Sequence, residues 1–206
     1  MIHRRFGWTV RLVCEKDEAT AECIDSEWFR SVSGVAISGK AGSGKTTLAR
    51  ELVKVCDERD IPVTRVSFGD ALKLEVMELY GIDKQMVGGR EVLIRHGLQR
   101  RLEDPFYWLR PVKERARLAQ ASGVIVVIDD LRFPNEYWWA IRAGLTTVRM
   151  VASPERRAKR LLEQGLDPDV GGDTETSLDG LSFDHYFRNH AGVLLSTAAR
   201  LLLSDF

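Results

Sequence analysis

The stretch Gly39-Lys40-Ala41-Gly42-Ser43-Gly44-Lys45-Thr46 fits G-x-x-x-x-G-K-[ST] in full. Glycines at these positions let backbone N–H groups turn inward around phosphate oxygens, and a helix opening just after them presents its positive end to the same anion. In that pattern Lys45 reaches the β- and γ-phosphates and Thr46 holds Mg²⁺, with Thr47 beside it. The competing reading is a Gly-rich turn that merely caps a helix, and the completeness of the motif weighs against it. Such a loop predicts a nucleoside triphosphate as ligand without saying which reaction follows. A GTPase switch needs a base-reading N-K-x-D, and neither Asn135 nor Asn189 begins one. Asp169-Val170-Gly171-Gly172 fits D-x-x-G, a weak signal alone. Ring ATPases usually need more than 206 residues, so a small phosphotransferase using ATP is the economical reading.

Two further groups could serve that chemistry. The apolar run Val126-Val127-Ile128 ends in Asp129-Asp130. An acid at such a strand end orients Mg²⁺ or its water shell, so Asp129 and Asp130 are expected at the metal, with a helix cap as the alternative. Arg156, Arg157 and Arg160 sit on a predicted helix over 154–163. Arg156 and Arg160, at i and i+4, share a face and are the pair expected to reach the triphosphate. A solvated basic helix is the alternative for each. The Gly- and Asp-rich segment 164–182 that follows is long for a connection and is expected to close as a lid.

These residues need a scaffold. Alternating short apolar runs and helical periodicities predict an α/β fold with a largely parallel sheet. Strands are expected near 32–38, 61–68, 123–128, 145–151 and 184–188. Helices are expected over 45–58, 70–80, 90–103, 105–121 (with a kink at Pro111), 134–143, 154–163 and 193–203. Tyr137, Trp138 and Trp139 read as a helix face packed on the sheet. Residues 1–32 form an extension without a motif, in which Trp8 to Val13 could be an edge strand and 17–30 a helix; residues 33–206 form the domain.

Composition narrows the partners. Thirty Lys+Arg balance thirty Asp+Glu, giving a formal net charge of +0, which argues against binding to nucleic acid polymers. Three cysteines without a C-x-x-C pair indicate neither a disulfide framework nor a zinc site. No uninterrupted apolar run reaches membrane-spanning length. A reduced, cytoplasmic setting fits best.

One segment is more specific than the phosphate loop. Asp130-Leu131-Arg132-Phe133-Pro134-Asn135-Glu136 closely resembles the D-x-R-F-x-N-E segment of deoxynucleoside monophosphate kinases, a family found in bacteriophages. Further pieces follow in order: the phosphate loop, Ser67-Phe68-Gly69-Asp70-Ala71-Leu72-Lys73, Gly89-Arg90-Glu91 with Gly97, Trp108, Thr174-Glu175 with Leu178-Asp179, and Asn189. The resemblance covers about 34–200. It implies a P-loop kinase three-layer sandwich with a five-stranded parallel sheet, a helical monophosphate-binding region and a lid. The implied reaction passes the γ-phosphoryl group of ATP to a deoxynucleoside 5′-monophosphate, with Mg²⁺, in the host cytoplasm if the chain is phage-encoded.

Within that reading, the acceptor phosphate carries about two negative charges and needs cations. Arg132 is expected there because its planar fork grips phosphate at two points. Lys73 is second, with Asp70, Arg90, Glu91 and Glu175 around the acceptor and Phe68 and Trp108 as flat walls for its base. Lys45, Arg132 and Asp130 are expected to act on the transfer itself. The family often carries Gln where this chain has Ile94 and Thr where it has Leu98. The remaining readings are another small P-loop kinase, such as a dephospho-coenzyme A kinase, and a regulatory nucleotide-binding module. Whether the chain forms a homodimer is left open.

Overall fold

The structure, a computed structural model, describes residues 34–166, 176–190 and 195–205. Its centre is set by the most apolar segments of the chain. In β1 (Gly34–Gly39), Val35, Ala36 and Ile37 are fully buried, as are Val126 and Ile128 in β3 (Ile125–Leu131). Strands this apolar on both faces must be covered on both, which is the condition of a parallel sheet. With β2 (Val63–Val66), β4 (Thr146–Val151) and β5 (His185–Arg188) they form one sheet in the order β2-β3-β1-β4-β5, parallel at every pairing.

Helices cover the two faces. On one, α1 (Lys45–Asp57) and α7 (Leu195–Leu202) bury Leu48, Leu52, Ala199 and Leu202 against Ile37, Val127 and Val148. On the other, α4 (Leu109–Ala121) and α5 (Pro134–Arg142) bury Val112, Ala116, Tyr137 and Ala140 against Ala36, Val126 and Ile128. The result is the three-layer sandwich expected from the sequence. The connections run in opposite directions across the sheet from β1 and β3: β1 leads toward β2, and β3 leads toward β4. A crevice opens outside the carboxyl ends of strands at such a switch point, where α/β folds bind their ligands.

Between β2 and α4 the chain inserts α2 (Phe68–Tyr80) and α3 (Gly89–Glu103), which pack on each other. A polar cluster ties them together: Glu75 accepts from His96 Nε2 at 2.8 Å, Arg100 Nε at 2.9 Å and Tyr107 Oη at 2.7 Å. Beyond β4, α6 (Pro154–Glu163) opens with Ser153 as its N-cap.

Several elements differ from expectation. β2 is shorter than 61–68, and Phe68 instead opens α2. Helix α4 starts at Leu109, not 105, because Asp104 closes a separate turn through Phe106 N and Tyr107 N. Pro111 therefore sits in the first turn, where its missing N–H has no partner to lose, and causes no kink. Trp138 is 47% exposed while Tyr137 and Trp139 are buried, so the aromatic run is only partly packing. The strand and helix expected before residue 33, and 167–175 of the expected lid, lie outside the described residues. No described helix is long and apolar enough to cross a membrane.

Candidate active site

The phosphate loop joins β1 to α1 at the crevice. Gly39, Gly42 and Gly44 all hold positive φ, at 147°, 73° and 102°. At Gly44 a Cβ would lie 2.3 Å from Asn189 Nδ2, so glycine is required by space as well as conformation. Helix α1 has no side-chain cap and no acid in its first turn, leaving its positive end for an anion. Ser43 Oγ is buried without a hydrogen-bond partner. Lys45 Nζ curls onto the carbonyls of Gly39 and Lys40, at 2.6 and 3.0 Å. A cavity of about 370 Å³ lies over this end, lined by Gly42, Gly44, Lys45, Thr46, Thr47, Arg160, Gln164, Asn189 and Leu195.

Elements from late in the chain hold the loop in shape. Asn189, just past β5, donates from Nδ2 to Ser43 O at 2.9 Å and accepts at Oδ1 from Arg160 Nη2 at 3.1 Å. Arg160 Nη1 also donates to Gly42 O at 3.1 Å, and Arg157 Nη1 approaches Ala41 O at 3.5 Å. Lys40 pairs with Asp179 at 3.0 Å. Asp179 also pairs with Arg149, which donates to Ser38 Oγ at 2.7 Å. Among the described residues, Arg157 rather than Arg156 joins Arg160 at the loop. The expected i, i+4 pair is corrected to an i, i+3 pair, because the loop crosses the helix at Arg157 itself: a Cβ on Gly42 would lie 2.7 Å from Arg157 O.

Across the crevice a second charged group gathers at the ends of β2 and β3. Alternation along β3 turns Asp129 toward the α1 face and Asp130 toward α2. Asp129 is 2% exposed and receives Arg65 Nε at 3.0 Å and Nη2 at 2.9 Å, both at Oδ1. Burial works against the Arg65 charge, but the bond to Asp129 and the negative charges of Asp129, Asp70 and Asp130 together outweigh it and raise the guanidinium pKa. Asp70 lies 3.6 Å from Arg65 Nη1 and 2.7 Å from Lys73 Nζ.

Asp130 does something else. Its carboxylate accepts from Ser67 Oγ at 2.7 Å, Phe68 N at 3.1 Å and Gly69 N at 2.8 Å, closing the open end of α2. Burial pushes its pKa up, with Asp129 next to it, against the pull of those three donors. Beyond it, Arg132 lies exposed on the turn into α5. That turn is held by Glu136, fully buried, which accepts from Arg132 N at 2.9 Å and Phe133 N at 3.1 Å and pairs with Arg101 at 2.9 Å. The Arg101 guanidinium also covers the Phe133 ring at 3.9 Å. Burial, outweighing Arg101 and the two amides, pushes Glu136 up to about 7.

Residues 35–175, well over half the chain, match the AAA domain family. The chain belongs to it. No curated protein matches the sequence significantly. Among solved structures, the protein APE1195 is similar at 19% identity and TM-score 0.54, covering 84% of this chain and 97% of that one. TT1252 from Thermus thermophilus is similar at 20% identity and TM-score 0.51, again covering 84% and 97%. An APS kinase from Mycobacterium tuberculosis, solved with AMPPNP and APS, matches at 16% identity and TM-score 0.49 over 84% and 95%. At these identities the likeness is one of fold.

In this AAA domain the residues present fit a nucleotide-bound Mg²⁺. Among the described residues no three His, Cys, Asp or Glu side chains converge, and Mg²⁺ with nucleotide needs few protein groups, because phosphates and water fill most of its shell. Thr46, at the head of α1, and Asp129, on the same face of the sheet, are the groups suited to it. The expectation that Asp130 acts on metal or transfer is corrected, since both its oxygens are taken by α2.

Other expected site residues divide clearly. The base walls are corrected: Phe68 is 3% exposed and meets Trp139 edge-on, while Trp108 is 1% exposed and donates from Nε1 to Gly97 O. Both rings are interior packing and offer no face to a ligand. Arg90 is half-buried and Glu91 exposed on α3, and Glu175 lies outside the described residues. Arg65 and Arg149 belong to no sequence motif, and Arg157 lies outside the expected Arg156 and Arg160 pair. Arg65 had a legible sign, a lone cation inside a predicted strand, but only its neighbour strand explains it.

Proposed function

We propose that this protein transfers the γ-phosphoryl group of ATP to a deoxynucleoside 5′-monophosphate, with Mg²⁺, giving ADP and the deoxynucleoside diphosphate. The observation that carries this reading is the gathering of two charged groups at the carboxyl ends of neighbouring parallel strands. On one side is the phosphate loop with Lys45; on the other are Arg65, Lys73 and the turn bearing Arg132. A protein that only held a triphosphate would need the first group alone.

An oxygen of the acceptor phosphate attacks the γ-phosphorus as the bond from that phosphorus to the bridging oxygen of ADP breaks. Lys45 exchanges its carbonyl partners for phosphate oxygens and stabilises charge as it moves to the leaving ADP. Arg132 and Lys73 screen the acceptor's charge so that two polyanions can meet. Thr46 and Asp129 are the residues that would hold Mg²⁺ with the donor, and the ion would supply further charge neutralisation. Small soluble nucleotides suit a cytoplasmic enzyme, and the resemblance suggests a phage source.

A coupled assay of ATP consumption tests the reading, run with each deoxynucleoside monophosphate, each ribonucleoside monophosphate, dephospho-coenzyme A and no acceptor. The expected outcome is consumption that depends on at least one deoxynucleoside monophosphate. Consumption with dephospho-coenzyme A alone would assign another kinase, and acceptor-independent turnover or none would assign a regulatory module.

A further inference from the structure

Lys73, Asp70, Arg65 and Asp129 form a line of alternating charge, with successive separations of 2.7, 3.6 and 2.9 Å. It runs from α2, on the acceptor side, to the end of β3, beside the donor's loop. Its two carboxylates differ sharply in exposure. The Asp129 side chain is 2% exposed, whereas those of Arg65 and Asp70 are 39% and 37% exposed. A buried carboxylate without a cation is strongly unfavourable, and in this state Arg65 is the cation that meets Asp129. Yet Asp129 sits on the α1 face, where the donor's cation would come to rest. A divalent ion and a guanidinium repel each other across one carboxylate.

Arg65 has somewhere else to go. Its side chain is long and half-exposed, and Asp70 already lies at the far edge of the guanidinium as a second, looser partner. Five N–H donors allow it to keep one carboxylate while taking up phosphate oxygens. A move of this size shifts one positive charge from the donor side of the crevice to the acceptor side.

We propose that Arg65 couples the two substrate sites. It neutralises Asp129 while the donor site is empty, and turns to Asp70 and the acceptor's phosphate once Asp129 faces the donor's cation. The inference rests on the monophosphate-kinase reading above and adds to it a cause for cooperative binding. Donor and acceptor then tighten each other's binding, by the same factor in both directions.

Calorimetry tests this without turnover. Each of the four deoxynucleoside 5′-monophosphates is titrated into the full chain in buffer, with AMPPNP plus EDTA, and with AMPPNP plus Mg²⁺. In the wild type, the monophosphate that binds should bind at least about fivefold tighter with AMPPNP and Mg²⁺ than in buffer, and gain little with EDTA. In Arg65→Met the gain should be lost, leaving binding about fivefold weaker than that of the wild type with AMPPNP and Mg²⁺ and equal in all three conditions. If loss of the cation prevents folding, Arg65→Gln keeps a hydrogen-bond donor to Asp129 and should show the same flat response. Retention of the Mg²⁺-dependent gain in a folded variant overturns the inference and makes Arg65–Asp129 a structural pair. Absence of monophosphate binding by the wild type in every condition overturns the acceptor reading, and this inference with it.

Discussion

Asn189 and Ser43 stand 146 residues apart in the chain and are joined by one hydrogen bond, Nδ2 to the Ser43 carbonyl, at 2.9 Å. The bond ties the end of β5 to the middle of the phosphate loop, and Asn189 hands its other polar atom to Arg160. Its loss in Asn189→Ala leaves a buried carbonyl unpaired, a cost of about 1–3 kcal/mol. The variant should unfold at lower denaturant and show a KM for ATP raised about tenfold, or about 1.4 kcal/mol. Steady-state kinetics with urea titration checks both, and an unchanged KM would mean that the loop keeps its shape alone.

The arginines of α6 can be separated by position. Arg157→Ala with Arg160→Ala should lower the rate with acceptor by about tenfold or more, because these two reach the loop. Arg156→Ala should stay within about twofold, because its half-buried side chain makes no hydrogen bond to the loop among the described residues. A large loss in Arg156→Ala, with the double variant unimpaired, would reverse the assignment.

Substitutions at Lys45 and at Arg132 should act differently. Lys45→Ala should abolish turnover with the fold intact, since it removes charge from the moving phosphoryl group; more than a tenth of the wild-type rate at saturating ATP would contradict the loop's role. Arg132→Lys keeps charge but loses the fork, and should impair kcat/KM for the acceptor far more than ATP affinity. Collapse of ATP affinity instead would move Arg132 to the donor side.

Glu136 gives a pH signature in stability. Burial raises its folded pKa to about 7 from an ordinary value of 4.5, so the folded protein holds this proton more tightly than the unfolded chain. Its contribution is fully present below about pH 4.5 and is lost as pH rises through about 7, amounting to about 3 kcal/mol. The difference in melting temperature between Glu136→Gln and wild type should therefore shift in favour of the variant between pH 5 and 8. A difference independent of pH would show that Arg101 and the two amides keep Glu136 charged throughout.

Much of this was legible in one dimension. The phosphate loop is local: its glycines, lysine and threonine act through the backbone of one turn and the helix after it, so spacing alone reveals them. The sandwich was legible because β1 and β3 are apolar without alternation, and only a sheet covered on both faces accommodates that. Helix boundaries set by neighbours, such as the late start of α4 after the Asp104 turn, were not.

The sequence by itself determined the glycine-rich loop with its lysine and threonine and which strands are central, because those depend on residues a few positions apart. Only the tertiary structure decided what each of two adjacent aspartates meets. A one-residue step along β3 turns Asp129 to the α1 face and Asp130 to α2, and what each then meets, Arg65 on the neighbouring strand or the open end of a helix, is set by strand order. The same holds for Trp108 and Phe68: an aromatic reads alike whether it walls a pocket or fills the interior. Burial depends on everything packed around the ring, and so it is settled only when the chain has folded.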